Sequence, residues 1–525
     1  MRTYRVLDIF AGAGGLSLGF LQTKRFEIVA AFENNCAAKA TYGTNHSQTV
    51  LYEDVLDVSF EELSTLYGQF DVIIGGPPCQ GFSNANRQHN QLINTNNQLI
   101  RTYVEFIKNL KPKAFLLENV KMLSSKTHRF FYAADDADEV QRYQSFKSEE
   151  VHVYHGQEII PFNDLIRENR LVWPEFSIGA EVHILVRELK RKLNKGTLKM
   201  SDVIPLCSTI DFFISCLEEG RLKDSLRSAT AVCRDERDTE EQDLSTLIMI
   251  ADALLKLEDI AKNNIVILEA KQEESDLWFI VYSYTVIDYL LSELGKEYFT
   301  DESIVNSVDY GIPQNRERYI MLGVRKEHNV KPKLPVKHVQ RTTVYDAIGD
   351  LYNVKSTELV EDGPIPLRKS SKNSALSSLR DSDLLYNHVV TKSSQTAKER
   401  FAVIKQGMNF HSLDKKLITN YANPKRTQNS IYLRLDETKP SATVTNVRKA
   451  MWIHPIHNRA ISVREAARLQ SFPDSFRFVG TKDQQYQQVG NAVPPMLAHE
   501  LALSLLESLD QIACQNLTTI NLPIL

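Results

Sequence analysis

The sequence predicts a doubly wound α/β fold, in which helices cover both faces of a mostly parallel sheet. Over the first 120 residues, short runs rich in β-branched residues alternate with segments whose apolar residues recur at helical spacing. A glycine-rich turn follows the first of these runs, as in parallel sheets that bind a ligand at their carboxyl edge. This alternation is typical of βαβ units and therefore of the α/β class.

Four strands and one crossover helix are predicted in this first part. The strands are YRVLDIF, EIVAAFE, FDVIIGG and AFLLENV. Between the last two strands, the helical spacing of the apolar residues predicts the crossover helix: Leu99, Ile100, Tyr103, Val104 and Ile107. Farther along, SDLWFIVYSYTVIDYLLSELG is predicted to be an N-capped helix that Gly295 closes. REAARLQ and MLAHELALSLLESL are predicted helices near the C-terminus.

Charge is unevenly distributed along the chain. Residues 126–270 interrupt the α/β pattern, carry amphipathic helices around 182–193 and 244–255, and hold 19 Lys and Arg against 27 Asp and Glu. Residues 331–450 are loop-rich and hold 21 Lys and Arg against 11 Asp and Glu. The basic segment is predicted to neutralise phosphates. The acidic insert repels phosphates, so a protein partner is expected for it instead.

Composition excludes several classes of protein. With 42% hydrophobic and 24% charged residues, the chain is typical of a soluble globular protein. No apolar run reaches the roughly 18 residues of a membrane helix, and the N-terminus lacks the features of a signal peptide, so a cytoplasmic protein is predicted. The six cysteines are scattered without a CxxC pair, so neither a disulfide framework nor a metal site is expected.

The glycine-rich turn DIFAGAGGLSLGF is the first motif that points to a ligand. Its glycines at 12, 14 and 15 let the backbone approach a ligand closely, and the following helix presents free N–H groups. The turn departs from GxGxxG because Ser17 stands where the third glycine falls, which disfavours an ordinary NAD site. Glu33, at the end of the second strand, is placed to accept hydrogen bonds from a ribose.

The stretch GGPPCQGFS presents a cysteine after the third predicted strand. Its two prolines fix two φ angles, so the loop is stiff and Cys79 emerges at the carboxyl edge of the sheet. A thiolate is a strong nucleophile and a fair leaving group. Cys79 is therefore predicted to act in covalent catalysis.

Polar side chains from two further motifs are predicted to complete this site. AFLLENV brings Glu118 to the same edge, where its carboxyl group can give a proton to a substrate nitrogen. In DYGIPQNRERYIML, Gln314, Arg316 and Arg318 occupy alternate positions, so their side chains are expected on one face. The two guanidinium groups could then clamp a phosphate or an oxygen atom.

The ordered motifs DIFAGAGG, GGPPCQGFS, ENV, QNRER and GNAVPP resemble those of the DNA (cytosine-5)-methyltransferase family, of the bacterial or phage modification type. The resemblance implies a Rossmann-like domain that binds S-adenosylmethionine without a metal, and a small target-recognition domain that binds double-stranded DNA. It divides the chain into a catalytic core (1–125 and 271–330), an acidic helical insert (126–270), a basic target-recognition domain (331–450) and a C-terminal segment that returns to the core (451–525).

The resemblance also implies the roles of individual residues. Cys79 attacks C6 of a flipped-out cytosine, Glu118 assists at N3 and the exocyclic amine, and Arg316 and Arg318 line the pocket. Substrate contacts are predicted for Gln80, Ser83, Asn119 and Gln314. The implied cofactor contacts are Phe10, Gly12, Gly14, Gly15, Leu16, Glu33, Asp54, Val55, Pro77, Leu99, Asn491 and Val493.

Three other functions are open from the residues alone. An RNA (tRNA) cytosine-5 methyltransferase shares the same core and chemistry, although the long basic segment favours DNA. A binding module that has lost catalysis is disfavoured by the intact set of Cys79, Glu118 and Arg316. An NAD-dependent enzyme has no use for the Pro-Pro-Cys loop. If the protein is a modification enzyme, a restriction endonuclease is its expected companion.

Overall fold

The computed structural model describes residues 2–78, 95–126, 128–155, 180–216, 223, 227, 241–274, 276–338, 341–367, 377–419, 421 and 423–520. The chain separates into two compact units. One, called the core unit here, comprises Met1–Cys79, Leu99–Lys121 and Glu293–Leu525. The other, called the insert unit, comprises Gln80–Gln98 and Met122–Ser292.

A seven-stranded sheet forms the centre of the core unit. Its strands are β1 (Tyr4–Ile9), β2 (Phe26–Phe32), β3 (Val50–Tyr52), β4 (Val72–Gly75), β5 (Ala114–Val120), β10 (Tyr298–Asn306) and β11 (Glu317–Arg325). They lie in the order β10-β11-β5-β4-β1-β2-β3. Strands β1 to β5 pair in parallel, and β11 runs antiparallel to both β5 and β10. The mostly parallel sheet confirms the predicted α/β class.

The helices alternate with these strands in the first part of the chain and dominate the last part. In chain order they are α1 (Gly15–Gln22), α2 (Cys36–Asn45), α3 (Phe60–Tyr67), α4 (Thr95–Leu110), α5 (Ala180–Leu193), α6 (Met200–Cys216), α7 (Glu241–Lys262), α8 (Val286–Gly295), α9 (Val344–Ile348), α10 (Gln395–Val403), α11 (Val447–Ala450), α12 (Val463–Leu469), α13 (Lys482–Asn491) and α14 (Pro495–Ile520). In the described part of the chain, no helix combines the length and apolar composition needed to cross a bilayer.

Helices α1 and α14 cover one face of the core sheet. Val6, Ile74, Leu116 and Ile320 from four strands are fully buried in one cluster with Leu501 of α14. The two helices approach closely because α1 has a glycine at position 19. A Cβ added at Gly19 would lie 2.4 Å from the Cβ of Ala498, so any larger residue would push the helices apart. This packing fixes the start of α1, and with it the end of the glycine-rich turn.

The elements predicted for the core unit are present. All four predicted strands correspond to β1, β2, β4 and β5, and the predicted crossover helix is α4. REAARLQ forms α12, where Ser462 and Glu465 make a reciprocal capping box. MLAHELALSLLESL lies within α14. The 331–450 segment is loop-rich as expected, with α9, α10, α11 and two short strands, β12 (Ile365–Pro366) and β13 (Leu384–Leu385).

The insert unit packs helices against an antiparallel sheet. Its strands are β6 (Arg129–Phe131), β7 (Lys147–His155), β8 (Ile267–Glu273) and β9 (Asp276–Thr285), and all of the others pair with β9. Helices α5, α6 and α7 share a hydrophobic core with this sheet. The predicted helices around 182–193 and 244–255 are confirmed as α5 and α7, whereas the sheet was not predicted.

The helix predicted over SDLWFIVYSYTVIDYLLSELG is wrong in its first half. Asp276–Thr285 is strand β9, and the helix α8 begins only at Val286. Leu277, Phe279 and Val281 are buried while the residues between them are half-buried, which is the two-residue period of a strand. The aromatic and β-branched residues of this run favour a strand flanked on both sides by partners.

Candidate active site

The glycine-rich turn joins β1 to α1 through a backbone conformation with positive φ angles, which residues with a side chain rarely adopt. Phe10, Gly12 and Gly14 all have positive φ angles, of 63°, 59° and 94°. A Cβ at Gly14 would lie 2.4 Å from Nε2 of His46, and a Cβ at Gly15 would lie 2.4 Å from the carbonyl oxygen of Val493. At Gly12, in contrast, no atom of the described residues lies within 4 Å of such a Cβ, so among these residues its backbone faces open space. The turn is therefore tightly backed at its end and open at its start.

Glu33 holds this turn from the end of the neighbouring strand. Its Oε2 accepts the N–H of Gly12 at 2.8 Å, and its Oε1 accepts the N–H of Asn35 at 2.7 Å. Burial raises the pKa of Glu33, although these two N–H groups partly offset that effect. The carboxylate therefore lies beside the open start of the turn, where the sequence predicts ribose contacts.

A buried polar cluster lies beneath the turn, and the sequence analysis missed it. The hydroxyl of Ser17 donates to Oδ2 of Asp8 at 2.5 Å and lies 2.8 Å from the hydroxyl of Tyr42. Nε2 of His46 lies 3.2 Å from the carbonyl oxygen of Gly14. Burial raises the pKa of Asp8 to about 7. The sequence indicated this cluster only through Ser17, which stands at the position of the third glycine of the GxGxxG pattern.

We expect Asp8→Asn to change how the stability of the protein depends on pH. The folded-state pKa of about 7 is above the ordinary value of 3.8, so folded Asp8 keeps its proton over a range where the unfolded chain releases it. The free energy of unfolding should therefore fall as the pH rises toward 7, by about 1.4 kcal/mol per pH unit from this group. Urea denaturation from about pH 5 to about pH 8 checks this. Parallel pH curves for the two proteins would contradict it.

The other residues predicted to bind the cofactor follow the carboxyl ends of the parallel strands or lie beside the turn. Asp54 and Val55 follow β3, and Pro77 follows β4. Leu16 is buried in α1, and Leu99 is half-buried in α4. Asn491 is exposed at the C-terminal end of α13, and buried Val493 contacts the turn at Gly15. The carboxyl edge is where α/β sheets bind their ligands.

A largely buried ion pair joins β5, which pairs with β4, to β11 on the other side of β5. Nε of Arg318 on β11 lies 2.9 Å from Oε1 of Glu118 on β5, and both side chains are only about one-eighth exposed, at 13% and 12%. A Cβ at Gly76 would lie 3.0 Å from Oε2 of Glu118. Asn119 donates from Nδ2 to the carbonyl oxygen of Pro77 at 3.1 Å. The strand that carries Glu118 is thus tied to the backbone that leads into the predicted nucleophile loop.

Three predicted site residues, Cys79, Gln80 and Ser83, lie outside the described residues. Gln314, Arg316 and Arg318 were expected on one face, and the structure divides them. Arg318 contacts Glu118, whereas Gln314 and Arg316 are fully buried and donate to backbone carbonyls of other segments. Burial lowers the pKa of the Arg316 guanidinium. Gln470, which contacts Gln314, was not predicted.

The basic segment carries exposed cations on a small hydrophobic core of its own. Phe401, Phe410, Tyr432 and Ile453 are buried together in one cluster. The exposed cations in this part of the segment include Lys405, Lys415, Lys416, Lys425 and Arg426. They fit a surface that neutralises phosphates.

Comparison with known proteins places this arrangement in a family. Residues 4–147 and 283–507, more than half of the chain, match the family described as C-5 cytosine-specific DNA methylase. The type II methyltransferase M.DdeI of Desulfomicrobium norvegicum is 26% identical over 95% of this chain and 87% of its own length. The type II methyltransferase M.XorII of Xanthomonas oryzae pv. oryzae is 26% identical over 96% of this chain and 84% of its own length.

A solved structure that aligns over nearly the whole chain shares the fold. It is described as a DNA modification methyltransferase encoded within an E. coli prophage, and it aligns with a TM-score of 0.56 at 20% identity over 97% of this chain and all of its own. The Rossmann-like fold, the predicted family and the enzyme class, DNA (cytosine-5-)-methyltransferase, are thereby confirmed. The protein belongs to the C-5 cytosine-specific DNA methylase family.

Proposed function

We propose that this protein transfers a methyl group from S-adenosylmethionine to C5 of a flipped-out cytosine in double-stranded DNA, with Cys79 as the nucleophile. The observation that carries the proposal is the buried ion pair of Glu118 and Arg318, tied through Asn119 to the carbonyl of Pro77. Pro77 stands two residues before Cys79. A buried carboxyl group next to a stiff loop that presents a thiol suits attack on a ring that needs protonation.

The residues of this chain divide the chemistry between them. The Cys79 thiolate forms a bond to C6 of cytosine. The electron pair displaced from the C5–C6 double bond passes through C4 to N3, which takes a proton from the Glu118 carboxyl group. When bound, S-adenosylmethionine supplies the methyl group for C5 from its positively charged sulfonium sulfur. Loss of the C5 proton to a water molecule then restores the C5–C6 double bond, breaks the C6–S bond and releases the Cys79 thiolate, and N3 returns its proton to Glu118. Arg318 keeps the Glu118 carboxylate oriented through its Nε–Oε1 contact.

The residues around the glycine-rich turn fit this cofactor. The open space at Gly12 leaves room for a ligand against the backbone, and the carboxylate of Glu33 is held beside it. A hydroxylated sugar and a positively charged sulfur both favour a neighbouring carboxylate. We propose that the ligand contacts the turn, Glu33 and the residues that follow the strands: Phe10, Gly12, Gly14, Gly15, Leu16, Asp54, Val55, Pro77, Leu99, Asn491 and Val493.

The substrate is DNA rather than RNA in this proposal. Both compared relatives are named type II methyltransferases, and exposed lysines stand on the 331–450 segment, which we propose as the target-recognition domain. C5 and C6 are closed off inside a stacked duplex, so the cytosine must leave the helix. We propose substrate contacts from Gln80, Ser83 and Asn119. We also propose that the enzyme acts with a cognate restriction endonuclease, in the cytoplasm, where bacterial or phage DNA lies.

We propose the five-segment division as the functional one. Residues 1–125 and 271–330 form the catalytic core, 331–450 recognises the target, and 451–525 returns to the core. Residues 126–270 form an insert outside the shared core. The family match, which leaves residues 148–282 uncovered, supports an insert in this region.

Bisulfite sequencing of plasmid DNA from cells that express the protein tests this function. Methylation at C5 protects a cytosine from deamination, so one short recurring motif should be protected in every copy. Plasmid from cells that express Cys79→Ala is the control and should show no protection. If the unaltered protein is folded and no cytosine in DNA is protected, the proposed DNA activity is wrong, and tRNA from the same cells is the substrate to sequence next.

A further inference from the structure

Gln314 and Arg316 form the centre of a buried polar hub in the core unit. Their side chains are 0% and 1% exposed, although both precede a strand that carries the exposed Glu317. Nε of Arg316 has no hydrogen-bond partner among the described residues, and no carboxylate lies within ion-pair distance of the guanidinium there. A buried charge of this kind is costly and is kept where its hydrogen bonds are needed.

The hub first fixes residue 444, at both of its backbone groups. Oε1 of Gln314 accepts the N–H of Val444 at 2.7 Å, and Nη1 of Arg316 donates to the carbonyl of Val444 at 2.9 Å. The backbone beside it is paired as well, because Ser441 donates its N–H to the carbonyl of Pro313 at 2.9 Å. The 441–444 stretch therefore cannot shift relative to residues 313–316 without breaking several hydrogen bonds.

The hub also fixes the turn at the end of α13. Nη2 of Arg316 donates to the carbonyls of Gly490 and Ala492, each at 3.0 Å. These two carbonyls flank Asn491, whose side chain is exposed. Gln470 adds a third hold, since it accepts from Gln314 at 2.7 Å and donates to the carbonyl of Val489 at 2.7 Å.

This turn lies against the glycine-rich turn without space between them. The carbonyl oxygen of Val493 is 2.4 Å from the position of a Cβ at Gly15. On its other side, a Cβ at Gly490 would lie 2.6 Å from the carbonyl oxygen of Thr445. Both close neighbours are backbone atoms, which cannot rotate away. Any movement of residues 489–493 is thus passed to the turn that faces the ligand.

We propose that Arg316, with Gln314 and Gln470, is a positioning residue that holds Asn491 and the 490–493 turn in the conformation that binds the cofactor. In this inference Arg316 and Gln314 act through the backbone and do not touch the cytosine. The inference rests on the proposed function for the identity of the cofactor. Its geometry, three carbonyls held by one guanidinium across two segments, stands on the described residues alone.

Arg316→Lys is the test, because lysine keeps the charge and loses the planar fork that reaches several carbonyls at once. We expect the Kd for S-adenosylhomocysteine, the product of methyl transfer, to rise about tenfold by isothermal titration calorimetry, which corresponds to the loss of one charge-assisted hydrogen bond. With radiolabelled S-adenosylmethionine, KM for the cofactor should rise more than kcat falls.

Arg434→Lys is the matched control. Arg434 is also buried, at 5% exposed, and its guanidinium donates to the carbonyls of Phe401, Ile404 and His454, within residues 401–458. This variant should lower the melting temperature as Arg316→Lys does, with the cofactor Kd unchanged. If Arg316→Lys fails to fold, Gln470→Met is the second variant. It removes the hydrogen bonds of Gln470 to Gln314 and to the carbonyl of Val489 and keeps those of Arg316, so the Kd for S-adenosylhomocysteine should rise several-fold.

Each outcome is decisive. Equal cofactor affinity in the unaltered protein and in folded Arg316→Lys or Gln470→Met overturns the inference. A rise in Kd as large in Arg434→Lys as in Arg316→Lys also overturns it, because the effect would then follow from lost stability. An unaltered protein that binds no S-adenosylhomocysteine refutes the cofactor of the proposed function and the inference with it. Normal binding without DNA methylation refutes the proposed activity only.

Discussion

Cys79→Ser is expected to lower the rate of DNA methylation by about 10³-fold or more, with DNA and cofactor affinities changed by less than about threefold. A serine hydroxyl is not ionised at neutral pH and is a far weaker nucleophile than a thiolate, so the bond to C6 does not form at a useful rate. The change is one atom in size, so binding surfaces are retained. Single-turnover transfer from radiolabelled S-adenosylmethionine measures the rate, and fluorescence anisotropy with a duplex measures DNA binding.

Cys514→Ser provides the control for general effects of thiol removal. Cys514 is an exposed cysteine on α14 and has no place in the proposed chemistry. Its substitution should leave the rate within about twofold of the unaltered enzyme. A Cys79→Ser enzyme that still methylates at a tenth of the normal rate would refute the covalent mechanism. If that variant is folded and loses DNA affinity instead, Cys79 is a binding residue.

The central strands of the core sheet were predictable because they are buried on both faces. VIIG is apolar up to its final glycine, and AFLLENV is apolar over its first four residues, before Glu118 and Asn119, which marks a central parallel strand. Strand β9 was predicted wrongly because no glycine marks its end. Its run continues directly into α8 without a turn, and an aromatic and β-branched stretch next to a helix shares the helix's apolar character.

The polar residues of the site were only partly predictable. Alternation predicted Gln314, Arg316 and Arg318 on one face, which is wrong for this site, because alternation cannot say what each side chain meets across the fold. Arg318 meets a carboxylate from β5, while Arg316 meets carbonyls from residues far along the sequence. Hydrogen bonds between a side chain and a distant backbone leave no periodic trace in one sequence. The Ser17 and Asp8 cluster is similar, since only the break in the glycine pattern pointed to it.

Glu118→Gln is expected to lower kcat/KM for methylation by about 10³-fold and the free energy of unfolding by about 3 kcal/mol. Glutamine can accept a hydrogen bond from Arg318 but cannot give a proton to N3 of the cytosine. It also leaves the guanidinium of Arg318 without its counter-charge, although the Arg318 side chain is only 13% exposed. Steady-state kinetics and urea denaturation measure the two effects separately.

The neighbouring pair of Lys121 and Glu317 makes a close control. Lys121 directly follows β5 and Glu317 begins β11. Their charged atoms lie 3.0 Å apart, but the two side chains are about half exposed, at 51% and 47%. Glu317→Gln should change stability by less than about 0.5 kcal/mol and leave kcat/KM unchanged, because water screens an exposed pair.

A double variant separates the two roles of the buried carboxylate. When Arg318→Gln is added to Glu118→Gln, the stranded charge is removed, so about 1 to 2 kcal/mol of stability should return relative to the sum of the single losses. Activity should not return with it, since the proton donor is still missing. If activity recovers together with stability, Glu118 serves to balance the charge of Arg318 and another group protonates the ring. If neither recovers, the ion pair matters less to the fold than its burial indicates.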